Sequence, residues 1–468
     1  MQLLSFTYVA FVAVLFIAQL RLSRPGQNAL LLCGSLVFCA SWDYRSALVL
    51  MVTTAIDFEL AKRLQWEEPE RKRRQMMWLS VALNVSVLAF IKYARLWNSP
   101  SFAGIVGVSR ETHSIIVPIG LSFYTLARLT YTLDVFYRIL RPTRSLTEFA
   151  LFVACFPQLV SGPIERAVNI LPQLAKRRTF DQGKFHEGLW LITLGLFKKV
   201  YIADHCGILT KHLFQSDART NGAAVLLGVY AYAIQIYCDF AGYSDIARGT
   251  ARLFGIEVTQ NFNAPYSSTN LSEYWKRWHI SLSSFLEDYV NGPVAMTLRK
   301  YGTVGIVIAI WITFVISGLW HGTGWTYLIW GCVHAFGLTA LALSRKLRKR
   351  IKSTLPPRLW NTTAWFATFH YVCFGYLFFR APSLNDALGS LHALGRHFAF
   401  SPNVRHDWRP VLFFASLSFL LDQLGQRRGG TFGIFQQRTW LRAVCYAIVL
   451  LCIIRLFAPS EVFIYAEF

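Results

Sequence analysis

Apolar runs long enough to cross a bilayer recur along this chain, and they constrain its fold more than any other feature. A helix needs roughly 20 mostly apolar residues to cross the hydrocarbon core, and a backbone in lipid must satisfy its own hydrogen bonds. Barrel strands would be about 10 residues long and would alternate in polarity, which these runs do not. The runs lie near 3–20, 28–41, 45–60, 77–94, 114–136, 187–204, 223–247, 303–320, 325–343, 363–380, 410–422 and 442–458. We therefore predict an all-α, polytopic transmembrane helix bundle of about 11–12 spans plus re-entrant segments.

The composition agrees with a membrane protein. Hydrophobic residues make up 54% of the 468 residues and charged residues only 15%, whereas soluble proteins carry about 25% charged residues. The net charge of +22 comes from basic residues that lie mostly in short loops between the apolar runs, such as 71–74 and 345–350. This positive-inside pattern indicates membrane lipids rather than nucleic acid as partners. If those loops are cytoplasmic, both termini face outward.

Two middle regions, 139–186 and 248–302, are neither plainly apolar nor plainly solvated, and they combine prolines with many aromatic residues. Irregular backbone is tolerated at membrane depth only where it packs in protein or lines a cavity. We therefore predict re-entrant, cavity-lining segments around a central tunnel, within a single domain over 1–468. The nine cysteines form no C-x-x-C pair, and no metal site is predicted.

A histidine at the end of an apolar run is the first candidate for chemistry. His321 lies within segment 317–325 and is flanked by Trp320 and Gly322. A neutral imidazole can act as a general base, and glycine lets a substrate or another backbone come close. The same pattern also fits an idle, hydrogen-bonded histidine in an interfacial tryptophan belt. Local sequence leaves both interpretations open.

Two further polar segments interrupt the apolar pattern. Segment 273–283 gathers aromatic, basic and hydroxyl residues around His279, which fits either a functional histidine or an interfacial amphipathic helix. Segment 235–245 carries Asp239 and Asp245, whose spacing of six puts them on different helix faces. Polar packing therefore explains these two carboxylates better than an acid–base dyad. The candidates for the tunnel lining are Trp320, Gly322, Trp275, Trp278, Asp239, Tyr243, Asp245 and Asn270.

Six motifs in a fixed order give the chain a resemblance to a known family. They are VPIGLSFYT at 117–125, FPQLVSGPI at 156–164, DFAGYSD at 239–245, NFNAPY at 261–266, YWKRWHISLS at 274–283 and GLWHG at 318–322, with an aromatic tail at 463–465. The chain resembles the membrane-bound O-acyltransferase (MBOAT) family over nearly its whole length. The nearest branch is that of the bacterial alginate O-acetylation membrane proteins, with teichoic-acid D-alanylation membrane proteins as close relatives.

The resemblance implies an enzyme with no bound cofactor. A cytoplasmic thioester, either an acyl-CoA such as acetyl-CoA or an acyl-carrier protein, would deliver its acyl group into a tunnel. The group would leave on the outer side of a bacterial inner membrane, through a periplasmic SGNH-type acyltransferase or another exopolysaccharide-modification protein. His321 matches the family's catalytic histidine, and His279 matches its second functional histidine. Tyr465 matches a tail tyrosine that suggests an acyl relay or a docking element.

Several alternatives stay open. Segment 287–294 lacks the family's usual arginine and glycine pair, which bears on the donor or its docking. D-alanyl or longer-chain acyl transfer from a carrier protein is one alternative function. A non-enzymatic transporter is another, although a transporter would be expected to show repeat symmetry. The lone histidines of other apolar runs, His334 and His370, are predicted to be satisfied core residues.

Overall fold

The apolar runs of the sequence fold into helices. The computed structural model describes residues 4–93, 118–160, 162–216, 221–400, 402–426, 430–436 and 439–455, and these contain no strand. Two shorter helices, Phe6–Gln19 and Thr439–Ile454, are apolar. The helices that are long and apolar enough to cross a membrane are Glu70–Lys92, Gly222–Leu253, Thr303–His321 and Trp325–Leu343. The predicted all-α transmembrane class is confirmed, while the predicted number of spans stays a prediction.

Residue contacts divide the chain into two compact units. Unit 1 comprises Met1–Ile192 with Ile246–Thr259, and unit 2 comprises Thr193–Asp245 with Gln260–Phe468. The single domain over 1–468 stays a prediction.

Unit 1 begins with four helices of 14 to 23 residues, followed by shorter ones in the region predicted to be irregular. Its helices are α1 Phe6–Gln19, α2 Arg24–Ala40, α3 Tyr44–Lys62, α4 Glu70–Lys92, α5 Leu121–Phe136, α6 Leu146–Ala154, α7 Phe156–Leu159 and α8 Ala167–Leu174. The last three fall within 139–186, where the prolines of the sequence interrupt longer helices.

Two sequence motifs of unit 1 pack directly on one another. Gly120 precedes α5 with a φ of 72°, a left-handed conformation that glycine adopts at little cost. A Cβ at Gly120 would overlap the main-chain carbonyl of Leu159, and one at Gly162 would overlap Gln158. The glycines of both motifs therefore serve the close approach of backbone segments.

A buried ion pair joins three helices of unit 1. The Arg128 guanidinium of α5 lies 3.4 Å from the Asp57 carboxylate of α3, and both side chains are fully buried. Asp57 also accepts hydrogen bonds from Ser80 at 2.7 Å and from Asn84 at 2.8 Å and 2.9 Å, both on α4. Polar side chains at membrane depth pair with one another because lipid offers them no partner. This cluster fixes how α3, α4 and α5 meet.

Unit 2 contains the long helices of the second half of the chain, and its boundary with unit 1 falls within α9 and α11. The helices from residue 182 onward are α9 Gln182–Leu196, α10 Asp204–Ser216, α11 Gly222–Leu253, α12 Leu271–Arg277, α13 Ile280–Leu286, α14 Gly292–Thr297, α15 Thr303–His321, α16 Trp325–Leu343, α17 Arg345–Thr354, α18 Pro357–Arg380, α19 Leu384–Arg396, α20 Pro402–Gln426 and α21 Thr439–Arg455. Two π-helices, Phe197–Ala203 and Glu287–Asn291, and three 3₁₀ segments, Pro265–Ser267, Arg299–Tyr301 and Gly430–Gln436, complete the list.

Helices α15 and α16 form a hairpin in which the two backbones are in direct contact. A Cβ at Gly318 would come within 2.6 Å of the Tyr327 carbonyl oxygen, and one at Gly331 would overlap the Phe314 carbonyl. Small residues let helices approach closely in a membrane, where packing rather than burial from water drives association. This close packing places the end of α15 against the first turns of α16.

Asp57→Ala should strongly destabilise the protein. Removing one partner leaves Arg128 as an uncompensated buried charge, which costs about 3–5 kcal/mol. Thermal unfolding of the detergent-solubilised protein should therefore show a midpoint several degrees below that of the wild type. Glu59→Ala is the matched control, because Glu59 is an exposed carboxylate on the same helix that pairs with Lys62 at the surface. Equal midpoints for Asp57→Ala and Glu59→Ala would contradict the role of the buried pair.

Candidate active site

His321 is the last residue of α15, and its side chain is 3% exposed. The helix ends there because Gly322 turns into extended backbone, with a φ of −171°. A Cβ at Gly322 would overlap the Tyr327 ring, so a side chain at this position would push His321 and Tyr327 apart. The glycine of the motif thus allows the helix end to sit against α16.

Aromatic rings surround His321. The ring centroids of Trp320 and Trp330 each lie 4.9 Å from that of His321, and the Phe379 ring lies at 5.2 Å. These three rings come from α15, α16 and α18. An imidazole in such surroundings is held away from bulk water. A neutral imidazole has the free lone pair that a general base requires.

The second predicted histidine lies close by. His279 precedes α13, is 1% exposed, and has a left-handed backbone with a φ of 42°. Its ring lies edge-to-face on Phe240 at 4.7 Å and 6.4 Å from Trp320. The Trp320 indole therefore contacts both histidines. Burial lowers the pKa of the His279 imidazole below its usual value, so this ring is neutral.

Asn261 holds the strained backbone at His279. Its main-chain oxygen accepts a hydrogen bond from the Ile280 N–H at 2.9 Å. Its side-chain oxygen accepts from the Ser281 N–H at 3.2 Å and from the Ser281 hydroxyl at 2.6 Å, while its side-chain nitrogen donates to Ser244 at 3.2 Å. Left-handed residues other than glycine persist only where their surroundings fix them. Sequence reasoning did not single out Asn261, although it opens one of the six motifs.

The predicted tryptophans occupy two neighbouring aromatic groups. Trp278 stacks on Tyr274 at 5.7 Å. Trp275 contacts Trp330 at 5.9 Å and His334 at 5.0 Å. His334 also lies 5.0 Å from Trp330, which already contacts His321. His334 is buried as predicted, but its Nδ1 has no hydrogen-bond partner among the residues that the structure describes. The prediction that it is a satisfied core residue was therefore wrong in that respect.

His370 and Asn270 have plainer roles. His370 hydrogen-bonds the Tyr230 hydroxyl at 2.7 Å and the Phe366 carbonyl at 2.8 Å, so this histidine is satisfied, as predicted. Asn270, a predicted tunnel residue, caps α12 by accepting a hydrogen bond from the Glu273 N–H at 2.9 Å. Tyr465 lies outside the residues that the structure describes.

Asp239 and Asp245 each pair with a lysine of the π-helix Phe197–Ala203. Lys199 lies 2.7 Å from both Asp239 and Asp204, and Lys198 lies 2.7 Å from Asp245. The two aspartates thus belong to separate ion pairs, which agrees with the polar packing inferred from their spacing. Tyr243, which lies between the two aspartates in the sequence, is also buried. Sequence reasoning missed both lysines, because a π-helix has no clear signature in the residue pattern.

A Cβ at Gly242 would come 2.7 Å from the Gly195 carbonyl and 3.0 Å from the Lys199 nitrogen. The absence of a side chain at Gly242 therefore lets α11 approach the lysines closely enough for these pairs to form.

The model of the membrane-bound O-acyltransferase family matches residues 45–381 of this chain. This range contains both histidines and every predicted tunnel residue.

Similar proteins carry related descriptions. A probable alginate O-acetylase of Pseudomonas aeruginosa is 35% identical over 371 residues, which cover 77% of this chain and 68% of that protein. A peptidoglycan O-acetyltransferase of Helicobacter pylori is 30% identical over 416 residues, which cover 82% of this chain and 78% of that protein. A teichoic acid D-alanyltransferase of Bacillus subtilis is 30% identical over 277 residues, which cover 57% of this chain and 69% of that protein.

Lys199→Met should destabilise the protein, because it leaves two buried carboxylates, Asp204 and Asp239, without their cation. Breaking a buried pair in this way costs about 3–5 kcal/mol. The double variant Lys199→Met/Asp239→Asn should recover part of the loss, since it removes one of the two carboxylates. The measurement is the thermal unfolding midpoint, and Lys211→Met at an exposed lysine is the control. A midpoint for Lys199→Met equal to that of the control would contradict the pairing.

Proposed function

The chain belongs to the membrane-bound O-acyltransferase family, and on that premise we propose that it moves an acetyl group from a cytoplasmic thioester to the hydroxyls of an exported or cell-surface polysaccharide. The observation that carries the proposal is the pair of buried histidines, His321 and His279, in contact with one indole, Trp320. Membership makes the protein a membrane acyltransferase. The donor, the acceptor and the direction of transfer are the proposed part.

The chemistry needs a base and a dry site. A hydroxyl oxygen attacks the thioester carbonyl, a C–O bond forms, the C–S bond breaks, and the hydroxyl proton ends on the departing thiolate. We assign the removal of that proton to His321. The aromatic rings around it exclude water, which would otherwise hydrolyse the thioester. Holding hydroxyl and thioester together supplies much of the remaining acceleration.

The sidedness follows from charge. Helix α17 carries six basic residues among its ten and no acidic one, so the positive-inside rule assigns it to the cytoplasm. Helix α16 leads from that end toward Trp325, close to His321 in sequence. A donor such as acetyl-CoA would thus enter from the α17 end. On the outer side of the inner membrane, a periplasmic SGNH-type acyltransferase is the partner that we propose for delivery to the glycan.

D-alanyl transfer from a carrier protein is the second candidate. The observation that favours it is the similarity to the teichoic acid D-alanyltransferase of Bacillus subtilis. The two candidates differ in donor. Vesicles containing the purified protein should release free coenzyme A from acetyl-CoA when an acceptor is present, if the first is correct. Acyl transfer only from a charged carrier protein would favour the second.

His321→Ala should abolish acyl transfer while leaving the fold intact. Loss of a general base costs about 10²–10⁴ in rate. The measurement is glycan acetylation in cells, together with acetyl transfer in vesicles. His392→Ala is the matched control, because His392 is an exposed histidine on α19 and its loss should change nothing. Acetylation that persists at the wild-type level in His321→Ala would remove His321 from the mechanism.

Asn261→Ala should lower kcat through His279. It removes the side-chain hydrogen bonds that hold the segment after His279, and a misplaced functional group can cost up to about 100-fold in rate. Asn261→Asp still accepts from Ser281 and should retain more activity than the alanine variant. Asn263→Ala is the control, since its side chain is exposed two residues away. If Asn261→Ala and Asn263→Ala have the same kcat, Asn261 does not position the site.

A further inference from the structure

Three rings in unit 2 form a mutually contacting group beside His321. Trp275, Trp330 and His334 have pairwise centroid distances of 5.0 Å, 5.0 Å and 5.9 Å. They come from α12 and α16, and Trp330 is also one of the rings around His321. The sequence marked Trp275 alone of the three as a tunnel residue. We refer to these three residues as the indole–imidazole triad.

Each ring of the triad has a buried nitrogen without a hydrogen-bond partner among the described residues: Nε1 of Trp275, Nε1 of Trp330 and Nδ1 of His334. Leaving one such group unsatisfied destabilises the folded protein. Native structures contain few such groups, and each calls for an explanation. Three of them in one ring cluster point to a polar group that binds there.

The His334 imidazole packs directly against a glycine. A Cβ at Gly375 of α18 would come 2.9 Å from the His334 Nε2. Any larger residue would press on the imidazole. The other rings near His334 are those of Phe314 at 6.1 Å, Tyr274 at 6.5 Å and Tyr371 at 6.5 Å, so the surroundings of this imidazole are aromatic.

The chemistry of the triad selects an acceptor. An indole N–H can only donate a hydrogen bond, and two of the three nitrogens are indole nitrogens. The partner must therefore offer oxygen lone pairs. Apart from the His321 imidazole beside Trp330, the rings that contact the triad are uncharged, and none of them is a fixed cation that would balance a phosphate. An uncharged carbonyl oxygen meets both requirements.

The position of the triad places it on the donor side. His334 follows Trp330 by four residues on α16, about 6 Å farther along the helix axis. That direction leads away from His321 and toward the basic helix α17. In the proposed function the thioester enters from the α17 end, and its acyl carbon reaches His321. The part of the donor that trails behind the acyl group would then lie against the triad.

We infer that Trp275, Trp330 and His334 form a subsite that hydrogen-bonds a carbonyl oxygen of the thioester donor, either that of the thioester or that of the first amide in the arm behind the sulfur. This inference rests on the proposed function. Coenzyme A and carrier-protein thioesters share such an arm, so the subsite would serve both. The residues act in donor binding, not in proton transfer.

His334→Phe tests the subsite, because it keeps an aromatic ring and removes both nitrogens. The KM for acetyl-CoA in reconstituted vesicles should rise about tenfold, the worth of a hydrogen bond of this kind, with a smaller effect on kcat. His334→Asn, which can return a nitrogen near the Nδ1 position, should restore most of the affinity. His392→Phe, at the exposed histidine of α19, is the matched control and should behave as wild type.

The two tryptophans keep the test decisive if His334→Phe fails to fold. Trp275→Phe and Trp330→Phe each remove one indole N–H and retain a ring, and each should also raise the KM. An unchanged KM in the folded variants would overturn the subsite and would indicate that a buried water binds these nitrogens instead. A fall in kcat at constant KM would overturn it as well, since it would indicate a role in the chemical step.

Small donors separate the two carbonyl sources. The acetyl thioester of N-acetylcysteamine carries the amide, whereas an S-alkyl thioacetate of similar length does not. If His334→Phe impairs only the first donor, the triad binds the amide carbonyl; if it impairs both, the triad binds the thioester carbonyl. Impairment of neither overturns the subsite. A wild-type protein that transfers no acetyl group from any of these donors would instead overturn the proposed function, and the subsite with it.

Discussion

The cost of leaving a polar group unpaired in an apolar environment is the constraint on which the rest of this structure depends. Water that enters the core of a soluble protein can rescue such a group, but lipid cannot. The buried charges of both units obey this constraint: Asp57 pairs with Arg128, and Lys199 pairs with Asp204 and Asp239. These pairs join separate helical segments, so satisfying the charges also fixes the packing.

Because of this cost, buried nitrogens that lack a hydrogen-bond partner are informative about function. Trp275, Trp330 and His334 lie a short way from well-paired side chains such as the hydroxyls of Tyr274 and Tyr376, 2.9 Å apart. Other buried polar atoms of the described residues also lack a hydrogen-bond partner, but these three lie together in one cluster of contacting rings. In an enzyme, such atoms bind what arrives from outside. The same reasoning separates this cluster from Asp239 and Asp245, whose ion pairs explain them as packing.

The sequence predicts the helical class because hydrophobic length is a property of the chain itself. It also predicts the irregular middle, since prolines act locally. It could not show that Trp320 lies between His279 and His321, because residues some forty positions apart meet only through tertiary packing. The π-helix that carries Lys198 and Lys199 was missed for a different reason: its hydrogen bonds join residues i and i+5 instead of i and i+4, and so short a segment leaves no periodic mark in the sequence. The prediction for His334 was wrong because the hydrogen-bond partners of a buried side chain come from its tertiary neighbours, which the sequence does not reveal.

In unit 2 the buried ion pairs and the aromatic rings around His321 occupy different helical segments, and this separation suits the chemistry of a thioester. A thioester is neutral at its reactive carbon and sensitive to water, so its path benefits from walls that are apolar and dry. The rings around His321 provide such walls, whereas the lysine–aspartate pairs of the same unit lie on α11 and the π-helix. A charge beside His321 would draw water toward the acyl group, and a carboxylate there would also favour the protonated imidazole, which cannot act as a base. In the proposed function, confining the ion pairs to helix packing would therefore preserve both the thioester and its base.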